Sequence, residues 1–407
     1  MKYLIIIADG MADEGQEELG GKTPLSYANT KTLDRLAKRS KIGRVKTIPD
    51  GMEAGSDVAG LTILGYDPKS VYTGRAPIEC LGLVEQENSC ILLGEEEIAY
   101  RMNLVTLTED EEESDYEKKR MLDHTAGQIS TKESKKIMRI LQNLFDRMAY
   151  QYYTETSYRH LLVGKRTKIE GLIPPHSILG DSIGKHLPKD TTLDFLLRES
   201  YRLLNHCSVN DKRRREGKLP ANSIWLWGGG EALKLESFYN KYEKRGAMIS
   251  AVAVLKGIAN GSGMTNLTVQ GATGTVDTDY GAKARRAIKA LLFEPYDFVC
   301  LHIEAPDEAS HRGDLRGKIH GIEQIDESVI APIIHAIEQS EKDVRVLILP
   351  DHYTLVKQRV HTSVPVPYLI YDSRRSIGNF PAYNEVQADS ESILSDGTKL
   401  IEELFSE

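Results

Sequence analysis

Acidic and imidazole residues sit together just past runs of apolar residues in this chain. "YLIIIAD" ends on Asp9, and "VRVLILPDH" ends on Asp351 and His352. "DFVCLHIEAPDEASH" places Asp307 and His311 four residues apart, on one face of a helix, and His361 follows in "KQRVHTSVP". Singly these are weak signals: an aspartate at a strand end commonly caps a helix, and a histidine is more often a surface or satisfied core residue. Together, three aspartates and three histidines at one sheet edge would carry a severe electrostatic burden unless cations neutralised them, which predicts a site for two divalent metal ions. Carboxylate and imidazole donors without thiolate suit manganese first, with zinc or magnesium the alternatives, magnesium the weaker where several imidazoles bind.

"PDGMEAGSDVAG" adds a hydroxyl, Ser56, ahead of a helix-like run from Val58 to Leu64. Ser56 or Asp57 could cap that helix. A serine there also stands where backbone N–H groups and the helix dipole favour an anion, including a phosphoryl group transferred onto it. Paired metals would activate the hydroxyl and clamp an in-line phosphoryl displacement, so Ser56 reads as nucleophile first and cap second.

The elements that must position these groups are legible. Residues 3–9, 248–255, 297–303 and 344–351 are continuous aliphatic runs of the kind found in strands buried on both faces. Helical stretches lie between them, "TDYGAKARRAIKALLF" and "GKIHGIEQIDESVIAPIIHAIEQS" among them. The pattern predicts an α/β fold with a doubly wound, mostly parallel sheet, whose ligand crevice lies outside the carboxyl ends of the strands. From about 85 to 238 the character changes: acidic "EDEEESDYEKK", tyrosine-rich "YQYYTETSYRHLLV", basic "DKRRREGK", and short strand candidates "SCILLG" and "NSIWLWG". We expect residues 1–84 and 239–407 to form a discontinuous metal-binding domain and 85–238 a smaller inserted α+β domain, with the two charge runs as solvated surface.

The chain has 407 residues and a net charge of -8, which argues against a general nucleic-acid surface. Its opening apolar run stops at Asp9, too short for a membrane span and without a signal-peptide cleavage site, so a cytoplasmic protein is expected. Cys80, Cys90, Cys207 and Cys300 are scattered, suggesting neither a disulfide framework nor a thiolate zinc site, and read as buried fillers.

At this point the chain resembles the cofactor-independent phosphoglycerate mutases, in their shorter archaeal-type branch within the alkaline phosphatase superfamily. The resemblance spans nearly the full length and rests on "IIIADGMAD", "GSDVAGLTILGYDP", "YTGRAPIECLG", "YRHLLV", "VQGATGTVDTDYGAKA", "HIEAPDEASHRGD" and "LPDHYT". It implies an alkaline-phosphatase-like core and a metal-dependent exchange of 3- and 2-phosphoglycerate through a transient phosphoserine at Ser56. It further implies that Asp9, Ser56, Asp351 and His352 hold one metal and Asp307, His311 and His361 the other, and that Lys256 bridges the serine and the transferred phosphate. Asp123 matches the carboxylate that exchanges protons with the glycerate hydroxyls; Arg75, Arg101 and Arg159 are candidates for clamping the substrate's carboxylate and phosphate, or else surface salt-bridge partners. The implied partner is a small phosphorylated hydroxy acid, not nucleic acid or membrane, with a homo-oligomer left open. Transfer without loss to water implies that the inserted domain closes over the metal domain, with bends near residues 80–90 and 235–245.

The sequence departs from that branch at Thr125, Gln128 and Trp227, where arginines are usual. Each lost charge-assisted hydrogen bond is worth roughly 1.5 to 3 kcal/mol in recognising a doubly anionic substrate. The departures motivate an alternative, a related phosphotransferase on another small hydroxy acid, such as a homoserine kinase.

Overall fold

The computed structural model describes residues 1–83, 90–109, 113–167 and 169–406. The chain divides into two compact units, one of Met1–Tyr72, Leu81–Val84 and Lys234–Glu407, the other of Thr73–Cys80 and Glu85–Leu233.

The first unit is built on an eight-stranded sheet. Its middle is the strand Lys2–Ala8, paired in parallel with Phe298–Ile303 on one side and Val344–Leu349 on the other. Gly246–Ile249 and Thr265–Asn266 continue the sheet outward in parallel; on the far side Val366–Asp372 runs antiparallel to Val344–Leu349 and to Lys41–Val45, and Ile393–Leu394 closes that edge. The aliphatic runs form strands because both faces are covered: Leu4 and Ile6 are as buried as Ile5 and Ile7. Leu4, Ile6, Ile303 and Ile348 share one core with Ala287, Leu291, Ile322 and Ile333 from the helices Tyr280–Phe293, Leu315–Gln324 and Ala331–Glu338. The register Ala8 to Ile303 and Ile7 to Leu349 brings the three central strands to an end at one edge. Asp9, Asp351 and the helix Ala305–His311, which starts just after Ile303, all leave the sheet there, at the carboxyl edge where α/β folds bind ligands.

One strand differs from its expected span. The run at 248–255 is strand only from Gly246 to Ile249, and the helix Ala253–Gly261 follows, carrying Lys256 in its second turn. Val254, Leu255, Ile258 and Ala259 are buried at helical spacing, so an apolar strand end and an apolar helix face had merged into one run.

The second unit is a five-stranded antiparallel sheet. Its long strand Glu97–Leu107 pairs with Met121–Asp123, Arg159–Lys165 and Ser223–Gly230, and Gln151–Thr154 extends the side of Arg159–Lys165. The amphipathic helices Thr131–Arg147 and Thr191–Leu204 bury Ile137, Leu141, Phe145, Leu193 and Leu197 in its core. The strand expected at "SCILLG" does not extend over Ile91–Gly94. The Ile91 N–H instead donates to the Cys80 carbonyl at 3.0 Å. Residues 84–89, within the expected first bend, and 110–112, within the acidic run, lie outside the described residues. All four cysteines are free, Cys80 and Cys300 buried as expected, Cys90 and Cys207 only partly so.

Candidate active site

The sheet edge gathers two sets of donors. Asp9, Asp351 and His352 form one and Asp307, His311 and His361 the other, the donor atoms of each lying within 4.8 Å of one another. The first set is buried throughout; His311 opens the second to solvent. Asp307 and His311 share a face of the helix Ala305–His311, as their spacing requires. His361 sits on the short strand Val360–Thr362, paired with Tyr353–Leu355 so that it lies across from Thr354.

Ser56 is the first residue of the helix Ser56–Ile63, after Gly55, and its side chain does not cap the helix. Its Oγ lies 3.2 Å from His352 Nε2 and 3.5 Å from Asp9 Oδ2. The hydroxyl is therefore turned to the first donor set. Gly10, at φ 63°, makes room for this junction: a Cβ there would fall 2.6 Å from Thr354 Oγ1 and 2.7 Å from Asp307 Cα.

Three features make these residues fit cations. First, Asp9 Oδ1 and Asp351 Oδ2 are buried with no hydrogen-bond donor among the described residues, and both face His352 Nε2, at 3.7 and 3.3 Å. Such acceptors are costly unless a cation meets them. Second, His311 Nε2 and His361 Nε2 stand 2.7 Å apart, while their Nδ1 atoms approach the carbonyls of Arg359 at 3.1 Å and Ala54 at 3.2 Å. With each Nδ1–H donating to a carbonyl, the two Nε2 atoms face each other across Asp307, an arrangement that a shared proton or a metal ion relieves. Third, the titrations fit. Burial holds the His352 imidazole down at about 4, against the Asp351 charge, leaving it a neutral donor. Burial, then Asp351 and Asp307 beside it, raise Asp9 well above the ordinary carboxylate value. Burial also opposes the Asp307 charge, but His361 and His311 outweigh it and hold that carboxyl low.

Behind Asp9 runs a row of groups that the spacing of ligand types did not reveal. His302 Nε2 contacts Asp9 Oδ2 at 3.0 Å and its Nδ1 contacts Glu304 Oε1 at 2.9 Å, while Lys283 Nζ donates to Glu304 Oε2 at 2.7 Å. Burial acts against the imidazolium, yet Glu304 and Asp9 push His302 up to about 10. A histidine inside the otherwise apolar "FVCLHI" was the available signal. Lys256 is half-buried on its helix; burial lowers its amine, with Glu304 acting the other way.

The remaining expected residues lie in the second unit. Glu79, buried, takes Arg75 Nε at 2.8 Å and Arg101 Nε at 2.9 Å. Glu155, missed in the sequence, is pushed up to about 7 by burial and by Glu79, with Arg101, Arg159 and Arg75 opposing. Arg75 and Arg101 thus pair with Glu79, and all three arginines favour the charged form of Glu155. The Arg101 guanidinium also lies 4.4 Å over the Trp227 ring, whose Nε1–H donates to Asn103 Oδ1 at 3.0 Å. Asn103 in turn donates to the His124 carbonyl at 3.1 Å, next to Asp123. Asp123 Oδ1 accepts from the Thr125 N–H and hydroxyl, both at 2.6 Å, and from Gly127 N–H at 3.1 Å; the Gln128 N–H bonds to Thr125 Oγ1 at 3.1 Å. Thr125 thus supports Asp123 through both its N–H and its hydroxyl.

The metalloenzyme superfamily matches residues 1–399. The chain is 40% identical over 408 residues, 99% of each chain, to a probable 2,3-bisphosphoglycerate-independent phosphoglycerate mutase of Geobacter sulfurreducens. It is 41% identical over 391 residues, 95% of each, to a 2,3-bisphosphoglycerate-independent phosphoglycerate mutase of Methanothrix thermoacetophila. The chain belongs to this mutase family. A solved cofactor-independent phosphoglycerate mutase from Thermoplasma acidophilum shares the fold, with a TM-score of 0.61 at 22% identity over 100% of this chain and 99% of that one. No helix among the described residues is long and apolar enough to cross a membrane.

Proposed function

We propose that the chain interconverts 3-phosphoglycerate and 2-phosphoglycerate in glycolysis, through a phosphoserine at Ser56. The observation that carries this reading is the Ser56 hydroxyl, turned away from a capping role toward His352 and Asp9, beside the unpartnered oxygens of Asp9 and Asp351. The mutase names of relatives matching nearly end to end support the substrate. Asp9, Ser56, Asp351 and His352 would hold one divalent ion and Asp307, His311 and His361 a second, manganese before zinc or magnesium by donor type. When bound, such ions lower the pKa of a hydroxyl and offset charge on a transferring phosphoryl group.

In the first half-reaction Ser56 Oγ forms a bond to phosphorus as the bond from phosphorus to the C3 oxygen breaks; the serine proton is lost and the C3 oxygen gains one. The glycerate then presents its C2 oxygen, that oxygen loses a proton, the phosphoryl group leaves Ser56 for it, and the Ser56 oxygen regains the proton it gave up in the first half-reaction. Asp123 takes and returns the hydroxyl protons, Lys256 supplies positive charge beside the phosphoserine, and Arg75, Arg101 and Arg159 supply cationic hydrogen bonds to the substrate. Phosphorus NMR of the metal-loaded protein with 3-phosphoglycerate should show rapid equilibration of the two phosphoglycerates. No equilibration there, with product formed from homoserine and a phosphoryl donor, would replace this reading by the kinase alternative motivated by Thr125, Gln128 and Trp227.

A further inference from the structure

Each of the three site histidines has its Nδ1 against an oxygen, and two of those oxygens are backbone carbonyls, of Arg359 and Ala54. The third is a side chain. Thr354 Oγ1 lies 3.1 Å from His352 Nδ1 and 2.8 Å from Asp307 Oδ1, so a single hydroxyl touches one ligand of each donor set.

A hydroxyl has one proton to give. The Thr354 hydroxyl donates to Asp307 Oδ1, so its oxygen must accept from His352 Nδ1. The hydrogen-bond network therefore assigns the His352 proton to Nδ1 and its lone pair to Nε2, the atom that faces Ser56 Oγ at 3.2 Å and Asp351 Oδ2 at 3.3 Å. Were the proton on Nε2, the hydroxyl could satisfy only one of its neighbours.

The backbone around Thr354 is fixed for this task. Thr354 is fully buried, its N–H donates to the Ala12 carbonyl at 3.2 Å, and its own carbonyl accepts from Lys318 Nζ at 2.7 Å. Lys318, also fully buried, is tied to Asp13 at 2.7 Å. Across the strand pair stands His361, whose Nε2 reaches the same Asp307 Oδ1 at 3.2 Å.

We propose that Thr354 is a positioning residue whose hydroxyl sets the ring proton of His352 and the orientation of Asp307, so that one oxygen prepares both donor sets for their cations. The proposal rests on the two-cation reading but not on the identity of the substrate. Oxygen partners behind metal-binding histidines typically matter 10- to 100-fold in metal affinity. Thr354→Val keeps the shape and removes the hydroxyl; Thr354→Ser keeps the hydroxyl. Titration of the metal-stripped full-length protein with manganese, by calorimetry, should show both affinities lowered at least ~10-fold in the valine variant and largely restored in the serine variant. Nitrogen-15 NMR of the histidine rings should show His352 protonated at Nδ1 in the wild type and that preference lost with valine. Wild-type affinities at both sites in Thr354→Val, or a serine variant as weak as the valine one, would overturn the proposal. If the valine variant does not fold, alanine against serine makes the same comparison, and equal affinities would overturn it. A wild type that binds no divalent ion would overturn the two-cation reading and this inference with it.

Discussion

Lys283→Met tests the row of charges behind Asp9. Lys283 is fully buried, and its Nζ meets Glu304 Oε2 at 2.7 Å and the His302 carbonyl at 3.2 Å. Glu304 keeps its contacts with His302 at 2.9 Å, Ser250 Oγ at 3.2 Å and the Ala251 N–H at 3.0 Å, but loses one of its two positive partners, the imidazole of His302 being the other. Removing one member of a buried pair costs about 3 to 5 kcal/mol because the other charge is left uncompensated. Burial opposes ionisation of Glu304, and it is Lys283 and His302 that hold this carboxyl below the usual range. A depressed carboxylate contributes stability that is present above its unfolded pKa and lost as pH falls through the folded value. Methionine raises the folded value, so the deficit should be full at neutral pH and shrink toward pH 4 as Glu304 takes up a proton. Native-state hydrogen exchange of the strand Phe298–Ile303 in metal-free protein reads the effect locally: 3 kcal/mol is on the order of a 100-fold rise in exchange rate. Lys283→Met with Glu304→Gln should recover part of the loss, because the uncompensated anion is gone. A rise under about tenfold at pH 7, or a deficit independent of pH, would refute the charge-row argument.

Three further outcomes are expected. Ser56→Ala should lower mutase activity by ~10⁴ or more while changing stability by less than ~1 kcal/mol, since only two long hydrogen bonds are lost; more than about one per cent residual activity would rule out the phosphoserine. Asp307→Ala and His361→Ala should each remove about one equivalent of bound metal and Asp351→Ala the other, by mass-spectrometric metal analysis; loss of none breaks the division of ligands. Metal affinity should rise from pH 6 to pH 8, because Asp9 is raised by burial and neighbouring Asp351, and His361 is raised by Asp307 against burial, so both give up protons to bind an ion; a flat profile by calorimetry would contradict the assigned ligands.

The two donor sets could be picked out because most of their residues follow strands the sequence marked plainly. Lys2–Ala8, Phe298–Ile303 and Val344–Leu349 are unbroken aliphatic runs, and parallel pairing carries whatever follows them to one edge. The second strand candidate failed at Ile249 because hydrophobicity alone does not separate a strand from the buried face of a short helix. His302, Glu304 and Lys283 escaped notice for a different reason: their partners come from separate parts of the chain, and nothing local says that Lys283 on its helix points inward to a carboxylate rather than outward to water. Glu79 and Glu155 are similar. An acid four residues after Arg75 reads as a surface pair until the strand Glu97–Leu107 brings Arg101 against the same carboxylate.

Two kinds of buried ion pair in the first unit differ in their cation. Two buried acids away from the donor sets face lysines: Asp13 has Lys318 at 2.7 Å and Glu304 has Lys283 at 2.7 Å. Among the described residues the acids at the sheet edge face imidazoles instead: Asp9 has His302 and His352, Asp351 has His352, and Asp307 has His311 and His361. A lysine there would fill the position permanently, whereas an imidazole can offer a lone pair, either already bare, as on neutral His352, or exposed when a proton leaves, as on His361. His302 is the exception, pushed up to about 10 and held as a cation by Glu304, and it is the one imidazole of the five pairings outside both donor sets. The chain thus fixes Asp9 with a permanent positive charge from behind while leaving its other oxygen, and those of Asp351 and Asp307, to partners that exchange. That division is what a site must have if protons hold it together before a metal ion arrives and leave when it does.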